Sequence, residues 1–297
     1  MDPILPVTDG YTTESAIRAA AAEFERRVLC YGHGTDTAID EASWLILHGM
    51  GLSPAEAPDY SMVLSEQQMQ ACNVLLQRRI DERVPAAYLT GQAWFAGHRF
   101  LCDSRALVPR SPLAEFINEQ FYGVLDDMET PSILDLCTGG GCIAIACAHA
   151  STAATVHASD ISPDALALAA ENISLHSLDD RVRLYEGSLF EPLDKRYDLI
   201  ISNPPYVDAR DIAAMATEFS HEPILGLAAG TDGLDLVRVM LKSAPDFLNP
   251  GGALVVEVGN SWEALERAYP EIDFQWLEFD HGGLGVFIVY REQLTAS

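Results

Sequence analysis

The tetrapeptide Asn203-Pro204-Pro205-Tyr206 combines residue types that can hold a flat nitrogen group. Two successive prolines neither continue a strand ladder nor sit inside a helix, so they form a rigid elbow. The Asn203 side-chain oxygen can accept one N–H of a planar NH2 group, and the backbone carbonyl of Pro204 or Pro205 can accept the other. An amide nitrogen is a poor nucleophile because its lone pair is delocalised. Fixing both hydrogens favours partial pyramidalisation and stabilises positive charge that develops on nitrogen. No ionised base is required at the outset. Tyr206 adds an aromatic wall for a flat acceptor. The plain alternative is a structural Pro-Pro turn, and upstream residues weigh against it.

Those residues are Asp135-Leu136-Cys137-Thr138-Gly139-Gly140-Gly141-Cys142. Three glycines let a ligand approach the backbone, and the helix that follows offers unpaired N–H groups. A nicotinamide site would show G-x-G-x-x-G. With Gly139 and Gly141 as the first pair, Ala144 takes the third place, which that pattern allows. Asp135 separates the two readings. A carboxylate ahead of the glycines favours a cationic amino-acid end over a pyrophosphate, and S-adenosylmethionine carries such an ammonium. Asp160 ends the next strand, where an acid can accept hydrogen bonds from both ribose hydroxyls. Ser162-Pro163 reads as a separate helix cap and first-turn proline, which leaves Asp160 free. Transfer of a methyl group from sulfonium to nitrogen needs in-line geometry at about 3–3.5 Å, which explains a rigid elbow.

These residues must be placed by an alternating pattern. Strands are expected at 133–136, 155–159, 182–186, 197–202 and 253–258, with helices at 143–150, 163–174, 235–244 and 262–269 between them. This order predicts a mostly parallel, doubly wound α/β sheet. Two closing strands, 274–279 and 285–290, lack an intervening helix and predict an antiparallel edge pair. Upstream, apolar spacing predicts helices at 12–31, 39–50 and 65–81. Pro85 breaks the helical period, and 87–109 reads as a β-hairpin with Gly91 and Gly97 in turns. Pro112 then opens a helix to about 124. The expected division is a helical substrate-recognition domain (1–84), a hairpin linker (85–110) and a catalytic domain (111–297).

Of 297 residues, 48% are hydrophobic and the formal net charge is -26. Residues 111–297 carry 9 basic and 30 acidic side chains, a net of -21. Such a field repels a phosphate backbone and attracts basic partners, although acidity also serves solubility alone. DNA binding is therefore not expected, and a cationic protein substrate fits. The six cysteines are scattered without a CxxC pair, so neither a disulfide framework nor a zinc site is expected, and no metal-binding residue is assigned. Cys137, Cys142 and Cys147 read as packing residues. Neither a signal peptide nor a membrane span is visible, and the cytoplasm is the expected location.

The arrangement resembles the HemK family of protein-glutamine N5-methyltransferases across nearly the whole chain. Within it, Asp135-Leu136-Cys137-Thr138-Gly139, Pro109-Arg110-Ser111-Pro112 and the stretch from His221-Glu222-Pro223 to Gly226-Leu227-Ala228-Ala229-Gly230 resemble the PrmB branch. The release-factor branch usually has Arg-Pro, acidic residues and threonine in place of Arg110-Ser111-Pro112, and glycine in place of Cys137. The resemblance implies a class I, Rossmann-like S-adenosylmethionine methyltransferase core, with a glutamine of ribosomal protein uL3 as acceptor. It also implies that Thr138, Gly139, Gly141, Asp160 and Asn203 touch the cofactor. The family often has Asp before an aromatic or Leu after the third strand. Here Ser188-Leu189-Phe190 stands instead, and Leu189 is expected to pack on the adenine. Glu222-Pro223 and Gly230-Thr231-Asp232-Gly233 read equally as a lid or a structural loop. His281-Gly282-Gly283 reads as a turn. Three alternatives remain beside uL3: glutamine methylation of release factors, adenine-N6 methylation of a flipped base, and a non-catalytic assembly factor.

Overall fold

The structure is a computed structural model that describes residues 3–6, 10–52, 58–126, 128–280 and 282–295. His281 lies outside the described residues. The chain divides into two compact units, Met1–Ala93 with Ala216–His221, and Trp94–Met215 with Glu222–Ser297.

The first unit holds α1 (Thr13–Arg26), α2 (Ala38–Gly49), α3 (Glu66–Asp81) and α4 (Ala86–Thr90). Thr12 and Ser15 form a reciprocal capping box on α1, and Ser65 and Gln68 do so on α3, which satisfies orphan donors at both starts. Ala16, Ile17, Ala20 and Phe24 make the buried face of α1. This helix stops before the expected 31, because Val28 takes a φ of +51°, where a β-branched residue cannot continue a right-handed helix. Arg79 of α3 is buried among the apolar side chains. Its guanidinium binds Glu41 at 2.6 Å, Glu218 at 3.2 Å and the Cys30 carbonyl at 2.7 Å. The segment expected as β from Ala87 begins instead with α4, one helical turn that Gly91 closes at φ +67°.

The hairpin proper is β1 (Gln92–Phe95) with β2 (His98–Leu101), and the division between units falls inside β1. The second unit continues with α5 (Leu113–Asn118), β3 (Ser132–Leu136), α6 (Cys142–Ala150), β4 (Thr155–Asp160), α7 (Pro163–Leu175), β5 (Val182–Glu186) and β6 (Tyr197–Ser202). It ends with α8 (Ala209–Ala214), α9 (Asp235–Phe247), β7 (Leu248–Glu257), α10 (Trp262–Ala268), β8 (Gln275–Trp276), β9 (Val286–Tyr290) and α11 (Arg291–Thr295). The helix at Pro112 ends at Asn118 rather than 124, and Gln120 and Phe121 both take positive φ.

Seven strands form one sheet in the order β5-β4-β3-β6-β7-β9-β8. The first five are parallel, while β9 runs antiparallel to both β7 and β8. This is the Rossmann-like, doubly wound sheet with an antiparallel edge. Period two sends Ile133, Leu199, Ile201 and Val255 into one core with Phe116 and Ile143. Leu134, Leu136, Ile200 and Val256 enter the opposite core with Val237 and Met240 of α9. Each such side chain contributes about 1.5–3 kcal/mol of burial, so the central strands are firmly held. The chain leaves β3 toward β4 and β5, then returns to β3's other side as β6. That reversal opens a crevice beyond the carboxyl ends of β3 and β6.

Candidate active site

The glycine turn leaves β3 and enters α6 at this crevice. Gly141 caps α6 at φ +82°, and a Cβ there would sit 3.1 Å from the Ala169 Cβ, so only glycine lets α6 and α7 pack this closely. Asp135 is fully buried on β3. Its Oδ2 accepts from the Thr138 hydroxyl at 2.5 Å and the Ala144 N–H at 3.1 Å. Its Oδ1 has no partner. Burial pushes the Asp135 carboxyl up to about 7, against the lowering effect of those two hydrogen bonds. An orphaned buried carboxylate oxygen is a costly feature that an ammonium group would relieve. This fits the amino-acid end of S-adenosylmethionine.

Asp160 lies at the end of β4, as expected, but it is not free. Its Oδ2 accepts from Gly139 N–H at 2.8 Å and its Oδ1 from Ser162 N–H at 2.9 Å. The carboxylate therefore pins the glycine turn to β4. Ser162 does cap α7, through Ala165 N–H. Burial raises Asp160 above its ordinary range, against backbone hydrogen bonds from Ser162, Gly139 and Ile161. With three backbone donors in place, the carboxylate keeps one acceptor site for a hydroxyl donor. Leu189, after β5, is buried at φ +49°, and its carbonyl accepts from the Ser159 hydroxyl at 3.1 Å.

Asn203-Pro204-Pro205-Tyr206 follows β6 directly, and both prolines are buried. The Asn203 Nδ2 faces the Arg110 carbonyl at 3.5 Å. Among the described residues nothing donates to its Oδ1, which is the acceptor the chemistry needs. The Tyr206 hydroxyl donates to Glu257 Oε1 at 2.8 Å, and the Ser111 hydroxyl donates to Glu257 Oε2 at 2.5 Å. Burial raises Glu257, opposed by Ser111, Tyr206 and Arg110, and burial together with that acid raises Tyr206 well above its ordinary value. Tyr206 therefore stays a phenol and a donor. Gly259 lies against its ring, since a Cβ there would meet Tyr206 Cε2 at 2.7 Å.

Two further ties complete the frame. Arg110 grips buried Glu222 with two contacts of 2.6 Å, and Glu222 also accepts from Val108 N–H at 2.9 Å. Asn172 of α7 accepts from Leu101 N–H at 2.7 Å and donates to the Leu101 and Gly140 carbonyls at 3.1 and 2.9 Å. It thereby joins β2 to the glycine turn. Gly230 packs on Asp235, and Asp232 pairs with Arg238, so the loop after the tetrapeptide is tied to α9 as well.

Comparison with known proteins adds to this geometry. A family model described as "Methyltransferase small domain" matches residues 119–224, and one described as "PrmC N-terminal domain" matches 16–91. The ribosomal protein uL3 glutamine methyltransferase of Xanthomonas campestris pv. campestris is 48% identical over 289 residues, which span 96% of this chain and 93% of that protein. Proteins of the same name from Xylella fastidiosa and Bordetella pertussis are 46% and 42% identical, each over 96% of this chain and over 92% and 96% of their own length. The chain belongs to the HemK family, in its uL3 glutamine methyltransferase branch. Among solved structures, a methyltransferase from Pyrococcus furiosus is 18% identical with a TM-score of 0.47, covering 65% of this chain and 88% of that one.

Within this family member, the crevice gathers Asp135, Thr138, Gly139, Gly141, Asp160 and Asn203 from the ends of β3, β4 and β6, with Leu189 after β5. Sequence reasoning missed Glu257, Ser111 as its partner, and Asn172. Two of these had a signal. Glu257 ends an otherwise apolar strand, and Asn172 occupies the apolar face of α7 between Leu168 and Ile173. A polar residue in such a place must find partners. All six cysteines are free, and among the described residues no helix is long and apolar enough to cross a membrane.

Proposed function

We propose that this chain methylates the side-chain amide nitrogen, N5, of a glutamine in ribosomal protein uL3, with S-adenosylmethionine as methyl donor. The observation that carries the reading is the 42–48% identity, over 96% of the chain, to proteins named for that activity. The site geometry supports the chemistry. When bound, S-adenosylmethionine supplies an electrophilic methyl group on sulfonium. Asp135 Oδ1 would hold the ammonium end, with Thr138, Gly139 and Gly141 lining the turn. Asp160 would take a ribose hydroxyl at its remaining acceptor site, and Leu189 would pack on the adenine.

Asn203 Oδ1 accepts one N–H of the glutamine amide, and the Pro204 or Pro205 carbonyl accepts the other. Both groups stabilise the charge that develops on nitrogen, so they act more strongly in the transition state than before it. Tyr206 walls the amide plane, and Glu257 with Ser111 keeps its ring in place. The proton leaves after the C–N bond forms, when the amide has become acidic, so no ionised base is needed. The helical unit carries none of these residues, and recognition of the protein substrate is assigned to it. The cytoplasm, where a ribosomal protein is met as it is made, is the proposed setting.

Tritiated-methyl transfer to unmethylated uL3 and to unmethylated release factor, side by side, tests the reading. Label on uL3 alone is the expected result. Label on the release factor alone would move the chain to the sister branch while leaving the chemistry intact. With Asn203→Ala, turnover is expected to drop by about 100- to 1000-fold with cofactor still bound.

A further inference from the structure

Three histidines outside the crevice meet where two helices end. His149 lies in the last turn of α6, His176 caps the end of α7, and His98 opens β2. His149 Nε2 is 3.1 Å from His176 Nδ1. The His98 ring stacks on His149 with centroids 4.3 Å apart and planes 20° from parallel. One ring nitrogen from each of the three lies within 4.8 Å of the other two, and all three rings are half-buried. We propose that His98, His149 and His176 form a binding site for one borderline-soft divalent metal ion, Zn2+ in the first place, that staples the hairpin to α6 and α7.

Four features carry this. First, ligand nitrogens on a tetrahedral Zn2+, at Zn–N of about 2.0–2.1 Å, stand about 3.3 Å apart. The His149–His176 pair already stands at that spacing, and the His98 ring would leave its stack on His149 to turn a nitrogen toward the same point. Second, His176 Nε2 lies 2.9 Å from the Arg99 carbonyl. Donating its proton there leaves the Nδ1 lone pair facing the cluster, which is how outer-shell carbonyls set ligand tautomers. Third, the carbonyl ends of α6 and α7 converge here, and their dipoles favour a cation. Fourth, the set contains only imidazoles. That chemistry suits Zn2+, Ni2+ or Cu2+ and not Mg2+ or Ca2+, which want oxygen ligands. Of the nearby cations, Arg181 is engaged with the Ser151 and Ala154 carbonyls, and exposed Arg99 follows His98 on β2.

The role is structural. The nine-residue α6 puts His149 about 13 Å from the glycine turn, too far to touch the transferred methyl group. An ion there would join the start of β2 to both helices, one turn of α7 beyond the Asn172 tie. The test uses the full chain, stripped with chelator, then given one equivalent of Zn2+ or Co2+. The expected result is one ion retained per chain through gel filtration, a rise of several degrees in unfolding temperature with metal in excess, and a Co2+ spectrum with d–d bands and no thiolate charge transfer. His98→Gln, His149→Gln and His176→Gln are each expected to weaken binding by about 100-fold or more. Should a histidine variant fold poorly, the wild-type Co2+ spectrum still decides. A thiolate band, no retained ion, or uptake unchanged in folded histidine variants would overturn the proposal.

Discussion

Asp135 is a carboxyl group sealed from water with one oxygen unpaired, and that arrangement ties ligand binding to pH. Its pKa near 7 in the folded chain contrasts with about 3.9 for an unfolded aspartate. Between those values the folded chain keeps a proton that the unfolded chain has lost. The stability this group contributes is therefore full below pH 4 and is lost as pH rises through 7. Asp135→Asn removes that dependence. Measured against wild type by urea unfolding, the variant is expected to gain relative stability from pH 4.5 to 8, by about 3 kcal/mol at the upper limit. Ligand binding runs the other way, because an ammonium prefers the ionised carboxylate. Calorimetry with S-adenosylhomocysteine is expected to show roughly tenfold weaker binding at pH 6 than at pH 7.5, and a flat, weak response in Asp135→Asn. An equally steep response in the variant would move the titration elsewhere. The placement of Asp135 near the end of β3 and of Asn203 just past β6 was legible from residue type and position alone. The engagement of Asp160 was not, because its donors are backbone N–H groups of Gly139 and Ser162, which residue types do not announce.

At the scale of elements, the sheet was legible because its strands carry a strong pattern. Apolar runs such as Ile133-Leu134 and Leu199-Ile200-Ile201 are buried on both faces, and glycine or proline punctuates them. Short elements were less so. The five residues of α4 sit among aromatic and glycine neighbours that favour a strand, and local capping by Pro85 and Gly91 decides otherwise. Tertiary ties were least visible, and Asn172 is the clearest case. Asn172→Ala removes three hydrogen bonds at once and strands the Leu101 and Gly140 groups. A loss of about 2–3 kcal/mol is expected in chemical unfolding. Because Gly140 belongs to the glycine turn proposed to line the cofactor, KM for S-adenosylmethionine is expected to rise several-fold with kcat largely kept. A matching loss in kcat would mean that the turn shapes the acceptor side too.

At the scale of the whole molecule, charge and chain path dominate. The net of -21 in residues 111–297 predicts electrostatic steering of a basic substrate. Between 50 and 300 mM NaCl, kcat/KM for uL3 is expected to fall by about tenfold, while KM for S-adenosylmethionine stays within twofold. Salt-independent kcat/KM would leave the acidity as a solubility device. Buried Arg79 sits between Glu41 and Glu218, and removing one partner of such an ion pair costs about 3–5 kcal/mol. Glu218 belongs to Ala216–His221, the stretch that lies in the first unit while the chain on either side lies in the second. The helical unit is thus not a cassette. A fragment cut after Ala93 loses an essential counter-charge, and one that starts at Trp94 keeps a strand of chain with no seat. A single crossover between positions 79 and 218 would take Glu41 and Arg79 from one parent and Glu218 from the other. An exchange of the first unit that keeps its ion triad within one parent must carry both stretches at once.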